Sequence, residues 1–423
     1  MEVFITKLKL IFTDTILKKK ILFLLGFLVL FRFLAAIPVP GIDVSSLEQF
    51  FSSNQFLGLI NLFSGGGLSG LSIIMLGVGP YITASIIMQL MTVMVPRLKE
   101  MFHEEGEAGK KKFSQYSRLL TVPLAALQGF AFLTLFQNQG VIGNLSGFEM
   151  LTNISVVVAG SVLIMWIGEL MTEFSIGNGV SILIFAGIVA GLPNAVSRLV
   201  FTFEPSQIPL YLGFLIAAIV ITLGIVVVTE AERPVPITYA KRVRGSKVYG
   251  GISTYLPLRI NQAGVMPIIF ALSIILFPQM IFNFLRNVLN ETFQALSGFV
   301  LKFLENGWFY SIFYFILVFV FTYFYTAITF DPHAISKNLQ QNGAFIPGVR
   351  PGSSTAEHIS KTVTRITLVG ALFLGAVAVL PIAMQAITGI NALAVGGTSL
   401  LIVVAVLIDL VKRIDAQIAM REY

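Results

Sequence analysis

Cysteine is absent from this protein, histidine occurs three times, and only 12% of the residues are charged. The first absence excludes disulfides, thiol nucleophiles and cysteine-held metals. The histidines, His103, His333 and His358, all fall in polar connections, so no imidazole stands in an apolar run where a proton relay would need one. Soluble proteins have roughly a quarter charged residues, so the scarcity of charge points to lipid. What is abundant agrees: 56% of residues are hydrophobic, mean hydropathy is +0.87, and phenylalanine and glycine each number 37. That mixture suits close-packed helices in a bilayer.

A helix needs roughly 20 apolar residues to cross about 30 Å of hydrocarbon. Ten runs qualify: 21–37, 71–95, 119–136, 154–170, 180–192, 208–228, 265–284, 308–330, 366–387 and 394–411, the fifth extending toward Val200. Strand-like alternation is absent from them, and lipid tolerates no open backbone, so every span is expected to be helical. The expected fold is an all-α polytopic membrane protein. Ten spans divide into two halves of five, 21–200 and 201–411. An odd count per half makes any repeat between them inverted, with a site at their interface.

Basic residues orient the protein. Lys7, Lys9, Lys18, Lys19 and Lys20 precede the first span, while the connection 38–70 has no basic residue. Arg97, Lys99, Lys110, Lys111, Lys112 and Arg118 follow the second span; Arg233, Lys241, Arg242, Arg244, Lys247 and Arg259 follow the sixth. Lys337, Arg350, Lys361 and Arg365 follow the eighth, and Lys412, Arg413 and Arg421 end the sequence. Only Arg198, Arg286 and Lys302 lie opposite. The positive-inside rule then places both termini, the segment 1–20, the connections 229–262 and 331–365 and the tail 412–423 in the cytoplasm. A cleaved leader is a poor reading of residues 21–37, because nine further spans come after it and "FLAAIPVPG" is no convincing cleavage site.

Inside the spans the ionisable residues are Arg32, Glu169 and Asp409, each toward a helix end. Arg32 is explained by snorkelling or by capping backbone carbonyls. Neither an acid–base pair nor a metal constellation is visible, which disfavours an enzyme and an ion-coupled transporter. The lack of midplane ionisable residues and the long basic cytoplasmic connections tell against a solute transporter with an inverted repeat. A lipid-modifying membrane enzyme would need a mid-span carboxylate pair or an aspartate-rich cytoplasmic loop, neither of which is present. No metal or cofactor is expected.

Seven motifs point to one family: "IPVPGID" (37–43), "LFSGGGLS" (62–69) with "GVGPYITASIIMQL" (77–90), "EGEAGKKKFSQYSR" (105–118), "IGNGVSILIFAGIVAGLP" (176–193), "YAKRVRGSKVYGGISTYLPLRINQAGVMPIIFA" (239–271), "GAFIPGVRPG" (343–352) and "GGTSLLIVV" (396–404). Together, and in this order, they resemble the SecY family, the channel subunits of the bacterial Sec translocon. The resemblance implies a central hourglass pore, an external plug and a lateral gate toward lipid. It implies no enzymatic activity and a place in the bacterial cytoplasmic membrane, or in a plastid. The expected partners are SecE, SecG, the SecA motor, the ribosome, signal peptides, secretory and membrane-protein substrates, and anionic lipids, with no sequence-specific nucleic acid.

Carried over residue by residue, the pore ring is Val78, Ile82, Ile184, Ile269, Leu272 and Ile402. The lateral gate is Thr83, Ile86, Gln128 and Asn261, a polar seam weakly held by hydrogen bonds between helices. Motor or ribosome docking falls to Arg233, Lys241, Arg242, Arg244, Lys247 and Arg350, the last held at a tip by turn formers. The family pattern is departed from at Pro234, which could stiffen its loop, at Ser175 and at Asp331–Pro332.

The tract "FSGGGLSGLS" (63–72) lacks the lysine and the preceding strand of a phosphate loop. By composition it could be a slack loop. Because it precedes Val78 and Ile82, the resemblance makes it the plug (about 61–74) and its hinge: Phe63, Ser64, Gly65, Gly66, Gly67, Leu68, Ser69, Gly70 and Leu71. The expectation is a glycine hinge, a short helix after it, and weak anchoring by small residues.

Overall fold

The computed structural model describes residues 14–40, 61, 64–68, 70–143, 145–174, 177–201, 208–240, 242–244, 247–249, 253–285, 291–388 and 396–419. A helix lies within or over the greater part of each of the ten expected runs. They are α1 (Thr15–Ala35), α2 (Gly79–Met94), α4 (Gly106–Asn138), α5 (Gly147–Phe174), α6 (Gly179–Phe201), α7 (Ile208–Glu230), α8 (Met266–Leu285), α10 (Gly307–Thr329), α12 (Ser353–Thr388) and α13 (Gly396–Ala419). Among the described residues, shorter helices between them include α3 (Pro96–His103), α9 (Glu291–Glu305) and α11 (Pro332–Gln341). Among the described residues, four stretches are long and apolar enough to cross a membrane by themselves: Gly106–Asn138, Gly147–Phe174, Gly307–Gln341 and Ser353–Met384. The pair α2 and α3 meets the same test across a 114° bend, placed where Pro96 cannot continue the hydrogen-bond ladder.

Local chemistry sets the helix ends. Asp14 accepts the amides of Ile16 and Leu17 at 2.8 and 3.3 Å, opening α1. Ser146 and Glu149 form a reciprocal capping box before α5. Asp331 accepts the amides of His333 and Ala334, with Pro332 in the first turn of α11, so the Asp–Pro departure keeps the capping chemistry. The second span does not start at Leu71 as expected. Residues 70–78 run as turns, and α2 begins only at Gly79, after Gly77 at φ +54°.

Two compact units are present. The first comprises Met1–Gly213, Leu272–Tyr310 and Pro381–Tyr423; the second comprises Phe214–Ala271 and Ser311–Leu380. In the first, α4 packs on α2, α3 and α5, and α6 packs on α5 and α13. One of its apolar clusters is unusual in using turn residues. Leu68, Leu71, Met75 and Leu76 are wedged against Ala125, Phe132, Leu133 and Phe136 of α4 and Val157 of α5. Gly160 makes that close approach possible, because a Cβ there would collide with the Ile73 carbonyl oxygen. Gly160→Val should therefore destabilise the fold by about 1–3 kcal/mol, the usual cost of overpacking. A thermal melt in detergent checks this, with Gly143→Val, where a Cβ meets open space, as the control.

In the second unit the connection 229–262 is not an irregular loop. Strands β1 (Glu232–Tyr239) and β4 (Ser253–Arg259) pair antiparallel, and β5 (Ala344–Phe345) joins β1 in the order β4-β1-β5. A separate ribbon pairs β2 (Arg242–Arg244) with β3 (Lys247–Tyr249). Val235 and Leu258 bury one face of the sheet with Ile346, Ile359, Val363 and Ile366. The last three lie four and three residues apart on the first turns of α12, hence on one face.

Candidate functional site

All six residues of the expected ring are buried: Val78, Ile82, Ile184, Ile269, Leu272 and Ile402. Val78 is the N-cap of α2, and its carbonyl accepts the Ile82 amide at 3.0 Å, so the two stand one turn apart on one face. Ile269 and Leu272 are likewise one turn apart on α8. Ile184 and Ile402 belong to α6 and α13, which pack directly on each other.

The glycine tract differs from expectation in its order. The helical residue, Asn61, precedes the glycines, and residues 64–68 and 70–78 run as turns. The Gly66 amide donates to the Asn61 carbonyl at 2.8 Å, and Gly65 is left-handed at φ +70°. These are the features of a helix C-terminus closed by a Schellman motif. The glycines are thus a cap and a close contact: a Cβ at Gly65 would run into the Phe31 ring and lie 3.3 Å from the Gly187 Cα. Gly187 comes three residues after Ile184 on α6, which sets the tract beside the face that carries a ring residue.

Nor is the tract loosely anchored. The Leu68 amide donates to Ser64 Oγ at 3.0 Å, and Leu68 and Leu71 are fully buried. The Val39 amide donates to the Leu71 carbonyl at 2.7 Å, and the Ile73 amide to the Ile37 carbonyl at 2.9 Å. These two bonds make an antiparallel bridge between Pro38 and Ser72. Leu71 is held at φ +39°, a conformation that L-residues other than Asn and Asp rarely adopt. Phe63 and Ser69 lie outside the described residues.

The three ionisable residues of the spans each have a partner. Arg32 Nη1 donates to the Gly65 carbonyl at 2.9 Å, so it caps a backbone carbonyl, and the one it caps belongs to the glycine tract. A cation there also complements the negative end of the closing helix. Glu169 on α5 accepts from Arg118 on α4 at 2.7 Å. Asp409 and Arg413 pair at 2.8 Å one turn apart on α13.

The gate residues bond locally. Thr83 Oγ1 donates to the Gly79 carbonyl of its own helix at 3.0 Å, and Asn261 Nδ2 donates to the Gly264 carbonyl at 3.2 Å. Both bonds are local to one turn of backbone. Short side chains reach a carbonyl of the same turn more easily than a neighbouring helix. Asn261 lies in the turn before α8, where its buried Oδ1 has no partner among the described residues. Ile86 is buried on α2 and Gln128 half-buried on α4.

Arg233 is exposed on β1, and Arg242, Arg244 and Lys247 stand on the β2–β3 ribbon, with Lys241 outside the described residues. Arg350 is exposed between β5 and α12 on a tightly tied turn. Ser336 Oγ donates to the Gly352 carbonyl at 2.6 Å, Thr355 Oγ1 to the Arg350 carbonyl at 2.9 Å, and the Val349 amide to the Ile346 carbonyl at 3.1 Å. Pro234 stands on β1 opposite Pro257 on β4. The Ile260 amide donates to the Ala231 carbonyl, which by alternation makes 233, 235 and 237 the hydrogen-bonded positions of β1. Pro234 and Pro236 occupy the other parity and interrupt no bond of the pair. The letters alone suggest turns here, because the buried strand signal is only Val235 and Ile237.

The SecY family model matches residues 72–411. The protein translocase subunits SecY of Mycobacterium tuberculosis and Thermotoga maritima are 41% and 40% identical to this protein. Each alignment covers 96% of this chain, with 96% and 94% of the respective relative. Among solved structures, a protein-conducting channel matches with a TM-score of 0.64 at 17% identity, covering 93% of this chain and 91% of its own. Sec61 from a canine ribosome–channel complex matches with a TM-score of 0.59 at 16% identity, covering 93% and 91%. One family model spans residues 72–411, and relatives about 40% identical align over 96% of the length; the chain belongs to the SecY family.

Proposed function

We propose that this chain is a passive protein-conducting channel of the bacterial cytoplasmic membrane, passing unfolded secretory polypeptides and releasing transmembrane segments sideways into lipid. Family membership across nearly the whole length carries this reading. The ring residues supply the waist: branched hydrocarbon dewets a narrow constriction and blocks ions without a charged filter. It also offers a sliding peptide no fixed hydrogen bond, so cargo of any sequence can pass. The plug is the helix end closed by Gly65 and Gly66, and the contact of Gly65 with Gly187 supports its seat beside Ile184.

The gate residues in this reading are Thr83 and Ile86 of α2, Gln128 of α4 and Asn261 of the turn before α8. Because the Thr83 hydroxyl bonds within its own helix and Asn261 bonds only through Nδ2 to its own turn, an arriving signal segment has few hydrogen bonds to break and competes chiefly through its apolar surface. With both termini cytoplasmic, the sheet, the β2–β3 ribbon and the Arg350 turn face a motor or a ribosome, whose carboxylates or phosphates suit arginine forks. The partners in this reading are SecE, SecG, SecA and the ribosome, and the matched Sec61 comes from a ribosome complex. The two inverted halves of five spans form the path, and the drive comes from such a partner.

Reconstitution of the chain with SecE in vesicles tests this. Addition of SecA and ATP should import an unfolded precursor, and failure with a competent precursor would overturn the function. In planar bilayers, Ile82→Asn and Ile402→Asn should each raise resting ion leak about tenfold or more without abolishing import. Unchanged leak in both would remove these residues from the ring.

A further inference from the structure

Helix α9 lies between two apolar helices yet is neither a span nor a solvated loop. Its 15 residues are roughly 22 Å long at 1.5 Å per residue, short of the 30 Å or so that a crossing requires. One face, Ser297 and Leu301, is buried against the protein. The opposite face exposes Leu296, Phe299 and Phe303, with Phe299 66% exposed. Lys302, also exposed, comes three residues after Phe299 and so stands on the flank of that apolar stripe.

The start of α10 identifies the occupant of the stripe. Asn306 separates the two helices, its Oδ1 accepting the Trp308 amide at 3.1 Å. Trp308, 80% exposed, begins a stretch long and apolar enough to cross a membrane, and exposed tryptophan at a span's start marks the headgroup level. Phe303 and Phe309 lie with ring centroids 3.9 Å apart, so the end of α9 is held at that same level. Its bare apolar face is continuous with the lipid-facing start of α10.

We infer that α9 is an interfacial helix, lying in the plane of the bilayer at the leaflet where α10 begins. Leu296, Phe299 and Phe303 enter the boundary between headgroups and acyl tails, and Lys302 turns toward water. The occupant of the stripe is lipid, and the helix anchors the connection between α8 and α10 at a fixed depth.

Because the protein has no native cysteine, single labels can be placed without a background. Phe299→Cys, Phe303→Cys and Lys302→Cys, each in the full-length protein, are labelled with a nitroxide in vesicles of phosphatidylethanolamine and phosphatidylglycerol. At 299 and 303, collisions with oxygen should exceed those with a water-soluble nickel chelate several-fold, at a depth of about 5–10 Å; at 302 the order should reverse. Free nickel access at 299 and 303 would overturn the inference. So would exclusion of both reagents there with an immobilised label, the signature of a second protein on the stripe. Should a cysteine variant fail to fold, Trp166→Phe leaves Trp308 as the sole tryptophan. Its emission should then be quenched by lipids brominated near the headgroup, and unquenched emission would equally sink the inference.

Discussion

Reversing the charge at Arg350 (Arg350→Glu) should lower SecA-driven import by at least tenfold while the amount of folded channel and its resting leak stay unchanged. The turn is a rigid mount. Gly348 and Gly352 sit at φ +83° and +102°, the Ser336 and Thr355 bonds fix the backbone to α11 and α12, and the Val349–Ile346 bond closes the turn on itself. The Ile346, Ile359 and Val363 core lies beneath it. None of those ties uses the guanidinium, so the substitution leaves them in place. A hydrogen bond to a charged group contributes about 1.5–3 kcal/mol, a factor of roughly 10 to 150 in docking, and a carboxylate there adds repulsion. Arg350→Lys should recover part of the loss, because a point charge cannot reproduce a fork. Normal import by Arg350→Glu would remove this residue from docking.

Arg32→Gln should raise resting ion leak by about thirtyfold, with import retained. The guanidinium bond to Gly65 ties α1 to the closed end of the proposed plug. Losing a charge-assisted bond of about 2 kcal/mol shifts a closed–displaced equilibrium by roughly that factor. The bridge between Pro38 and Ser72 and the burial of Leu68 and Leu71 are untouched, so the residues after the glycines stay in their core while the capped end loosens. Single-channel recordings check this: more frequent brief openings are expected, and Arg32→Lys should lie between the two. A leak equal to the parent's would show that Arg32 does not hold the plug.

The ten apolar runs were legible because a hydrocarbon slab demands length and hydropathy, and both are written in the letters. The ends were less so. The second helix starts late because Gly77 and Pro80 stand inside an apolar run that hydropathy cannot subdivide. Helix α12 starts at Ser353, thirteen residues before its apolar run, because its first turns bury only one face through Ile359 and Val363. Amphipathic α9 was hidden by its mixed composition. The order of the glycine tract is reversed from expectation, since three glycines look like slack until the Gly66–Asn61 bond shows them closing a helix. The ring and gate came from resemblance alone, because a pore-lining isoleucine and a helix-packing one have the same periodicity.

The prolines of β1 bear on what such a channel must avoid. Strand β5 pairs only with Thr238 and Tyr239, so from Glu232 to Ile237 the far edge of β1 has no strand beside it among the described residues. The two prolines at 234 and 236 direct their nitrogens to that edge and have no hydrogen to offer, leaving it with acceptors but almost no donors. An extended polypeptide arriving unfolded would otherwise find a template for strand addition at this edge. A blunt edge lets cargo slide past without being knitted into the sheet.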